Sequence, residues 1–361
     1  MVESNKYLDQ FNSLLDTAIG NDGITDLHIQ SGQQPLFRVD GDLVADEGGL
    51  ALSLEWVQGV CKSILNSEQE KRFEIVHGVD LAYEHGGRFF RVNIAKESGA
   101  PYITARVIPE GIIKLTDIGF PNTSWENIVN LQRGLVLITG VTGSGKSTTL
   151  ASLLQEINRR CSKNIITIED PIEYVHRGIK SSIKQRELYR DVISFSDGVE
   201  QAMRQDPNVI SVGEVRDAKT LLGVVNAADT GHLVFSTLHT KDAAGTVTRC
   251  LDIVSEGEGN YVRGALADNL EYVVCQQLIP KIGGGRVLSM EILRNNLAVK
   301  KLIRTGEISQ IPSAIQTHTK EGMIQMDACL VKLYEAGKIS QESAMNFAMS
   351  REGMQRYFEH K

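Results

Sequence analysis

The residues Gly140-Val141-Thr142-Gly143-Ser144-Gly145-Lys146-Ser147 fit the pattern G-x-x-x-x-G-K-[ST] in full. A loop of this kind binds a chain of phosphates. Its glycines let the backbone curl until main-chain amides face phosphate oxygens, and a helix that starts just beyond presents its positive end to the anion. In that geometry Lys146 reaches the β- and γ-phosphates of a nucleoside triphosphate, Ser147 offers a hydroxyl to Mg²⁺, and Thr148 extends the binding turn. The flanks agree with this reading. Residues 134–139 are an apolar run suited to a buried parallel strand, and the residues from Lys146 onward favour a helix.

Three further segments carry candidate chemistry. Asn208-Val209-Ile210-Ser211-Val212-Gly213-Glu214 is a mostly apolar strand that delivers Glu214 to the carboxyl edge of such a sheet. There Glu214 either orients or deprotonates an attacking water, or holds Mg²⁺ through a water; Gly213 stands where many phosphate-loop ATPases carry aspartate. The run ending in Ile168-Glu169-Asp170-Pro171-Ile172-Glu173-Tyr174 supplies three more carboxylates. Glu169, nearest the strand end, is the second candidate for positioning water or metal. Pro171 keeps Asp170 out of helical conformation, and Glu173 reads as solvent-facing. Finally, His232 and His239 sit at the two ends of one strand. His239, at the carboxyl end with Thr237 and Thr240 beside it, suits a γ-phosphate sensor, whereas His232 is remote from that edge. Eight histidines without close ligand spacing predict no transition-metal site.

These groups need a scaffold, and the rest of the chain reads as one. With 361 residues the chain is too long for one core and suits two domains. Residues 1–113 suggest a strand-rich α+β domain: helices near 6–18 and 54–65, strands near 26–30, 36–43, 79–83, 88–94 and 102–107. A linker is expected over 114–125, followed by an ATPase domain over 126–361 in which apolar runs at 134–139, 164–168, 209–212 and 232–236 alternate with helices as βαβ units; from about Tyr261 the pattern is mainly helical. The polar opening residues lack the apolar core of a signal peptide and no run is long enough to span a membrane, which predicts a cytoplasmic protein. Five dispersed cysteines read as reduced core thiols.

Taken together, these elements resemble the secretion ATPase superfamily that powers type II secretion and type IV pili, over nearly the whole chain. The phosphate loop, Ile168-Glu169-Asp170-Pro171-Ile172-Glu173, Gly213-Glu214-Val215-Arg216-Asp217 and Thr230-Gly231-His232 match the family's ATPase core, as do Gln185-Arg186-Glu187 and Asp206-Pro207. Asp26-Leu27-His28-Ile29 and Arg38-Val39-Asp40-Gly41 match its N-terminal domain, and Gly322-Met323 with Asp327 its C-terminal helices. The chain is most similar to the pilus-retraction branch, since the extra N-terminal domains and zinc-binding cysteine cluster usual in extension motors are missing. It departs from that branch at 298–305, which matches the A-I-R-N-L-I-R-E helix only in part, and at 105–109, where F-R-x-I-P becomes Ala105-Arg106-Val107-Ile108-Pro109.

The resemblance implies an α/β chain with an N-terminal PAS-like α+β domain and a C-terminal RecA-like P-loop ATPase domain ending in helices. It implies a homo-hexamer using ATP and Mg²⁺, with nucleotide between subunits, an inner-membrane pilus platform protein as partner, and in some systems a paralogous ATPase. Such a protein is cytoplasmic and held at the inner membrane through its partners. It also implies arginines that reach the phosphates from the N-terminal domain. Arg91 and Arg106 are the matching positions, and they either neutralise transition-state charge or simply cover an exposed strand face. Three other readings share the motifs: an assembly or secretion ATPase, a nucleic-acid translocase and a non-hydrolysing regulatory subunit. A net charge of −7 and the lack of aromatic-basic platforms oppose the translocase and predict no nucleic-acid partner. The joint presence of Lys146, Ser147 and Glu214 opposes the regulatory subunit.

Overall fold

The computed structural model describes residues 2–46, 48–108 and 110–360; Met1, Glu47, Pro109 and Lys361 lie outside the described residues, so the 105–109 element is described only as far as Ile108. The chain divides into two units, Met1–Gly111 with Glu169–Val175 and Gln185–Ser194, and Ile112–Ile168 with His176–Lys184 and Phe195–Lys361.

In the first unit, α1 (Val2–Ile19), α2 (Leu54–Ile64) and α3 (Ser67–Val76) accompany six strands, β1 (Ile24–Ile29), β2 (Leu36–Val39), β3 (Asp42–Ala45), β4 (Gly78–His85), β5 (Arg88–Glu97) and β6 (Ala100–Val107). The strands form one sheet in the order β3-β2-β1-β6-β5-β4. Neighbours are antiparallel, so directly opposed residues share a face. Leu27, Ala105, Val92 and Leu81 align across four strands, and they pack with Phe11 and Leu15 of α1 and Trp56, Val57 and Val60 of α2. One residue earlier or later along these strands, Arg38, Asp26, Arg106 and Arg91 align on the opposite face. The alternation that signalled strands therefore also separates an apolar core face from a charged one. α3 was not expected; it is opened by Asn66, whose side chain accepts from Glu68 N and Gln69 N while Gln69 reaches back to the cap.

A seven-stranded sheet in the order β13-β12-β7-β11-β10-β8-β9 is built from β7 (Gly134–Thr139), β8 (Asn164–Glu169), β9 (Ser182–Glu187), β10 (Val209–Val212), β11 (Leu233–Leu238), β12 (Leu270–Pro280) and β13 (Arg286–Arg294). The five strands from β12 to β8 run parallel. Helices α4 (Ser124–Val129), α5 (Lys146–Arg160), α6 (Phe195–Ala202), α7 (Ala218–Asp229), α8 (Ala243–Ile253) and α9 (Glu256–Asn269) connect or cover them, and α10 (Leu297–Thr305), α11 (Ile311–Thr317), α12 (Met326–Glu335), α13 (Gln341–Phe347) and α14 (Arg351–Glu359) close the chain. Leu150, Leu153, Leu154 and Ile157 of α5 pack on Val136, Ile138, Phe235 and Val274; Leu115 joins the same core, with Ile118 and Phe120 against it.

Within the mainly helical stretch beyond Tyr261 the structure adds an antiparallel pair, β12 and β13, joined through Gly283, Gly284 and Gly285, all at positive φ. β12 is covered on both faces, which removes the polar alternation that marks a half-exposed strand. Among the described residues no helix is long and apolar enough to cross a membrane.

Candidate functional site

β7 is buried along its whole length and ends at Gly140, where the phosphate loop begins. Gly140, Gly143 and Gly145 adopt φ values of 146°, 78° and 87°, conformations in which a side chain would be strained. α5 starts at Lys146 with Gly145 at its N-cap, so no side chain stands over the first helical amides. Lys146 is buried, and its Nζ donates to Gly140 O at 2.9 Å and Val141 O at 3.2 Å. Both acceptors are neutral carbonyls of the loop itself, which an incoming phosphate can replace with a stronger, charge-assisted partner. Val141, Thr142, Gly143 and Ser147 are exposed, Thr148 is half-buried, and Ser144 is buried.

Two strands away, Gly213 follows β10 and its N–H donates to Ile168 O at 2.8 Å. A Cβ at this position would stand 3.2 Å from both Ile168 O and the Phe195 ring, which accounts for glycine where other phosphate-loop proteins have aspartate. Thr237 Oγ1 donates to Gly213 O at 2.7 Å and Val215 N–H to Thr237 O, so the segment carrying Glu214 is stitched to β11. The Glu214 carboxylate, mostly buried, is ion-paired with Arg216 and lies 3.3 Å from His239 Nε2. β11, whose end carries His239, lies between β7 and β10 in the sheet, so the loop, His239 and Glu214 share its carboxyl edge. Sequence reasoning assigned Arg216 no role, although its spacing of two from Glu214 on an extended segment places both on one side. His232 is a structural residue: its Nδ1 meets Ala227 O at 2.9 Å, and Thr230 lies beside it.

The other expected residues belong to the first unit. Glu169 Oε1 accepts from Gln185 Nε2 at 2.9 Å. Arg106 Nε donates to the buried carboxylate of Asp26 at 2.7 Å, and Arg38 approaches the same carboxylate at 4.0 Å. Arg91 Nη1 donates to Glu173 at 2.9 Å and its Nε to Asp80 at 3.4 Å. Glu173 is thus an ion-pair partner whose side chain stays 37% exposed; apolar periodicity does not reveal a charge partner 82 residues away. Arg91 and Arg106 face each other across β5 and β6. Nearby, Glu187 accepts from Ala82 N–H and Ile172 N–H, and burial pushes its carboxyl up to about 7. In the second unit burial lowers His176 to about 4; it bonds Gln155.

For a divalent cation the fit rests on the exposed Ser147 hydroxyl at the head of α5 and the Glu214 carboxylate. Mg²⁺ takes few protein ligands and completes its shell with water and phosphate oxygens, so this sparse donor set suits it. Among the described residues no cluster of three or more His, Cys, Asp or Glu side chains could hold a metal by itself, and all five cysteines are free thiols.

The type II/IV secretion system protein family matches residues 91–325. The type IV pilus retractation ATPase PilT of Pseudomonas aeruginosa is 42% identical, over 89% of this chain and 93% of that protein. The type IV pilus ATPase PilU of the same organism is 33% identical, over 94% of this chain and 89% of its own length. A crystal structure of the pilus retraction motor PilT with bound ADP superimposes with a TM-score of 0.86 at 37% identity, covering 96% of this chain and 98% of that one.

Proposed function

The chain belongs to the type II/IV secretion system protein family, and from that membership we propose that it is an ATPase whose hydrolysis of ATP drives retraction of a type IV pilus. The observation that carries the reading is the strand–loop–helix at 134–160, with the Lys146 ammonium donating to carbonyls of the loop, on the same sheet edge as a Glu214 carboxylate that is itself paired with Arg216. The likeness to PilT extends over both units and supports the pilus assignment.

In this reading Gly140, Val141, Thr142, Gly143, Ser144, Gly145 and Thr148 line the phosphates, and Lys146 moves from its carbonyls to the β- and γ-phosphates. Ser147 would hold Mg²⁺ through its hydroxyl, with Glu214 as a further carboxylate for it, directly or through a water. When bound, the ion would supply charge neutralisation to the phosphates. Glu214 and Glu169 orient the water that attacks the γ-phosphorus, and His239, touching Glu214, reports the presence of that phosphate. Arg106 and Arg91 neutralise charge that develops in the transition state. The domains expected over 1–113 and 126–361, joined through 114–125, turn against each other within a homo-hexamer. That motion works on an inner-membrane platform protein, beside a paralogous ATPase where one exists, and places the motor in the cytoplasm at the membrane face.

The first test is Mg²⁺-dependent ATP turnover by the purified protein beside Lys146→Ala and Glu214→Gln. Turnover abolished in both variants is expected. Equal turnover in all three proteins would remove the site assignment. Direction is read in cells: deletion should leave pili that accumulate unretracted, whereas loss of surface pili or of secretion would replace retraction by assembly.

A further inference from the structure

One buried polar side chain behind the phosphate loop has no part in the chemistry above. Gln276 lies on β12, is fully buried, and donates from Nε2 to the main-chain oxygen of Ser144 at 2.8 Å. β12 pairs with β7 so that Cys275 stands opposite Thr139, which brings Gln276 beside Gly140, where the loop leaves the sheet. The fit is close at both ends of the loop. A Cβ on Gly140 would run into Gln276 O and the Ser144 side chain, and a Cβ on Gly145 would come within 3.3 Å of Gln276 Nε2. Two of the loop glycines thus make room for this residue as well as for phosphate.

Packing alone does not explain a glutamine here. Its Oε1 is buried without a partner, as is Ser144 Oγ, and an unmet buried polar atom costs free energy that a leucine would avoid. The benefit lies in the one bond that is made. A trans peptide is planar, with its carbonyl and the following N–H pointing in opposite directions. Drawing Ser144 O onto β12 therefore turns the Gly145 N–H away from that strand. Gly145, at φ 87°, has no Cβ to resist rotation of that peptide, so the restraint has to come from outside the loop. The bond from Gln276 is such a restraint, reaching the peptide from a neighbouring strand.

We propose that Gln276 is a positioning residue for the phosphate site: its amide fixes the Ser144–Gly145 peptide so that the Gly145 N–H faces the anion before nucleotide arrives. The inference rests on the phosphate-loop reading above and adds a residue from a distant strand to it.

The test compares wild type with Gln276→Leu and Gln276→Met, using calorimetric titration with ADP, inhibition by pyrophosphate, steady-state ATP kinetics and thermal melting on the full chain. Gln276→Met keeps the length of the side chain, but it has no group that can donate to Ser144 O. Both variants should bind ADP and pyrophosphate roughly tenfold more weakly and raise KM for ATP by about the same factor, with kcat changed by less than about threefold. Equal weakening for pyrophosphate, which has neither base nor sugar, separates phosphate positioning from a general disturbance of the fold. ADP affinity and KM within about twofold of wild type, or a fall in kcat at unchanged KM, would overturn the proposal. Wild-type protein that binds no ADP would instead remove the phosphate-site reading and this inference together. Hydrogen exchange on the unaltered chain gives an independent readout. The segment 140–147 should gain protection with ADP, and unchanged exchange there counts against the proposal even if both variants fail to fold.

Discussion

The phosphate loop and the arginine row of the N-terminal sheet both present positive charge, but they hold it in different ways. Lys146 donates to two neutral carbonyl oxygens, Gly140 O and Val141 O, in a loop that also presents backbone amides and hydroxyls. Arg106 and Arg91 are each engaged by full carboxylates, Asp26 for the first and Glu173 with Asp80 for the second. A cation on carbonyls can exchange them for phosphate with a gain in electrostatic energy. A cation on a carboxylate already has its counter-charge and is oriented by it. One region is built to give up its contacts to a ligand, and the other to keep a fixed pattern of charge whether or not a ligand is present.

If that contrast is right, Lys146→Ala should be the most damaging change to chemistry. It should lower ATP turnover by at least about 100-fold in a coupled assay while leaving the melting temperature nearly unchanged, because carbonyls left by lysine can be hydrated. A melting temperature that fell with activity would show that Lys146 is structural.

The first unit should respond through stability. The Glu187 carboxyl, raised from 4.5 to about 7 mainly by burial, lies near Arg190 and Asp191. The folded chain keeps this proton at pH values where the unfolded chain has released it. The contribution is therefore complete below about pH 4.5 and is lost as the pH rises through about 7, by up to about 3 kcal/mol. Glu187→Gln, followed by denaturant unfolding between these values, should flatten that slope; an unchanged slope would show that the group is ionised throughout. His176 has the opposite sign. Its pKa, lowered from 6.5 to about 4 by burial, gives stability that is present above 6.5 and lost as the pH falls through about 4.

Asp26→Ala should cost about 2 kcal/mol in denaturant unfolding, less than a wholly buried pair because the Arg106 side chain remains 67% exposed. It should also lower kcat by loosening Arg106, and Arg106→Ala should lower both kcat and stability, because it leaves the buried Asp26 carboxylate without its nearest cation. Loss of stability in both with kcat unchanged would make the row a purely structural device. Arg38→Ala provides the smallest effect. At 4.0 Å from Asp26 and 37% exposed, Arg38 should contribute less than about 0.5 kcal/mol and nothing to turnover.

Much of the site was legible in the primary structure because its chemistry is local. The phosphate loop is contiguous: Gly140 to Ser147 contain the glycines for positive φ, the lysine and the hydroxyl within one turn, between a buried strand and a helix. Glu214 and His239 could be found because each follows an apolar run that ends at the same edge of a parallel sheet. The β-alternation of 26–30, 88–94 and 102–107 likewise defines the N-terminal sheet and, through its period of two, the face on which Asp26, Arg91 and Arg106 stand.

What only the tertiary structure decided are the pairings between residues far apart in the chain. No spacing rule connects Arg91 to Glu173, Arg106 to Asp26 or Gln276 to the peptide of Ser144, since each bond depends on strand order and register. The segments 169–175 and 185–194 are assigned to the first unit by contacts of the same kind, Glu187 with Ala82 among them. The hairpin of β12 and β13 went unseen for a related reason: a strand covered on both faces carries hydrophobicity without period, and only its neighbours give it a direction. Local conformation depends on backbone sterics and the nearest side chains, which the residue types state directly. Long-range pairing depends on which distant segments the folded chain brings within about 3 Å, and hydrogen bonds and ion pairs are short-ranged enough that only the fold selects among the many partners the sequence permits.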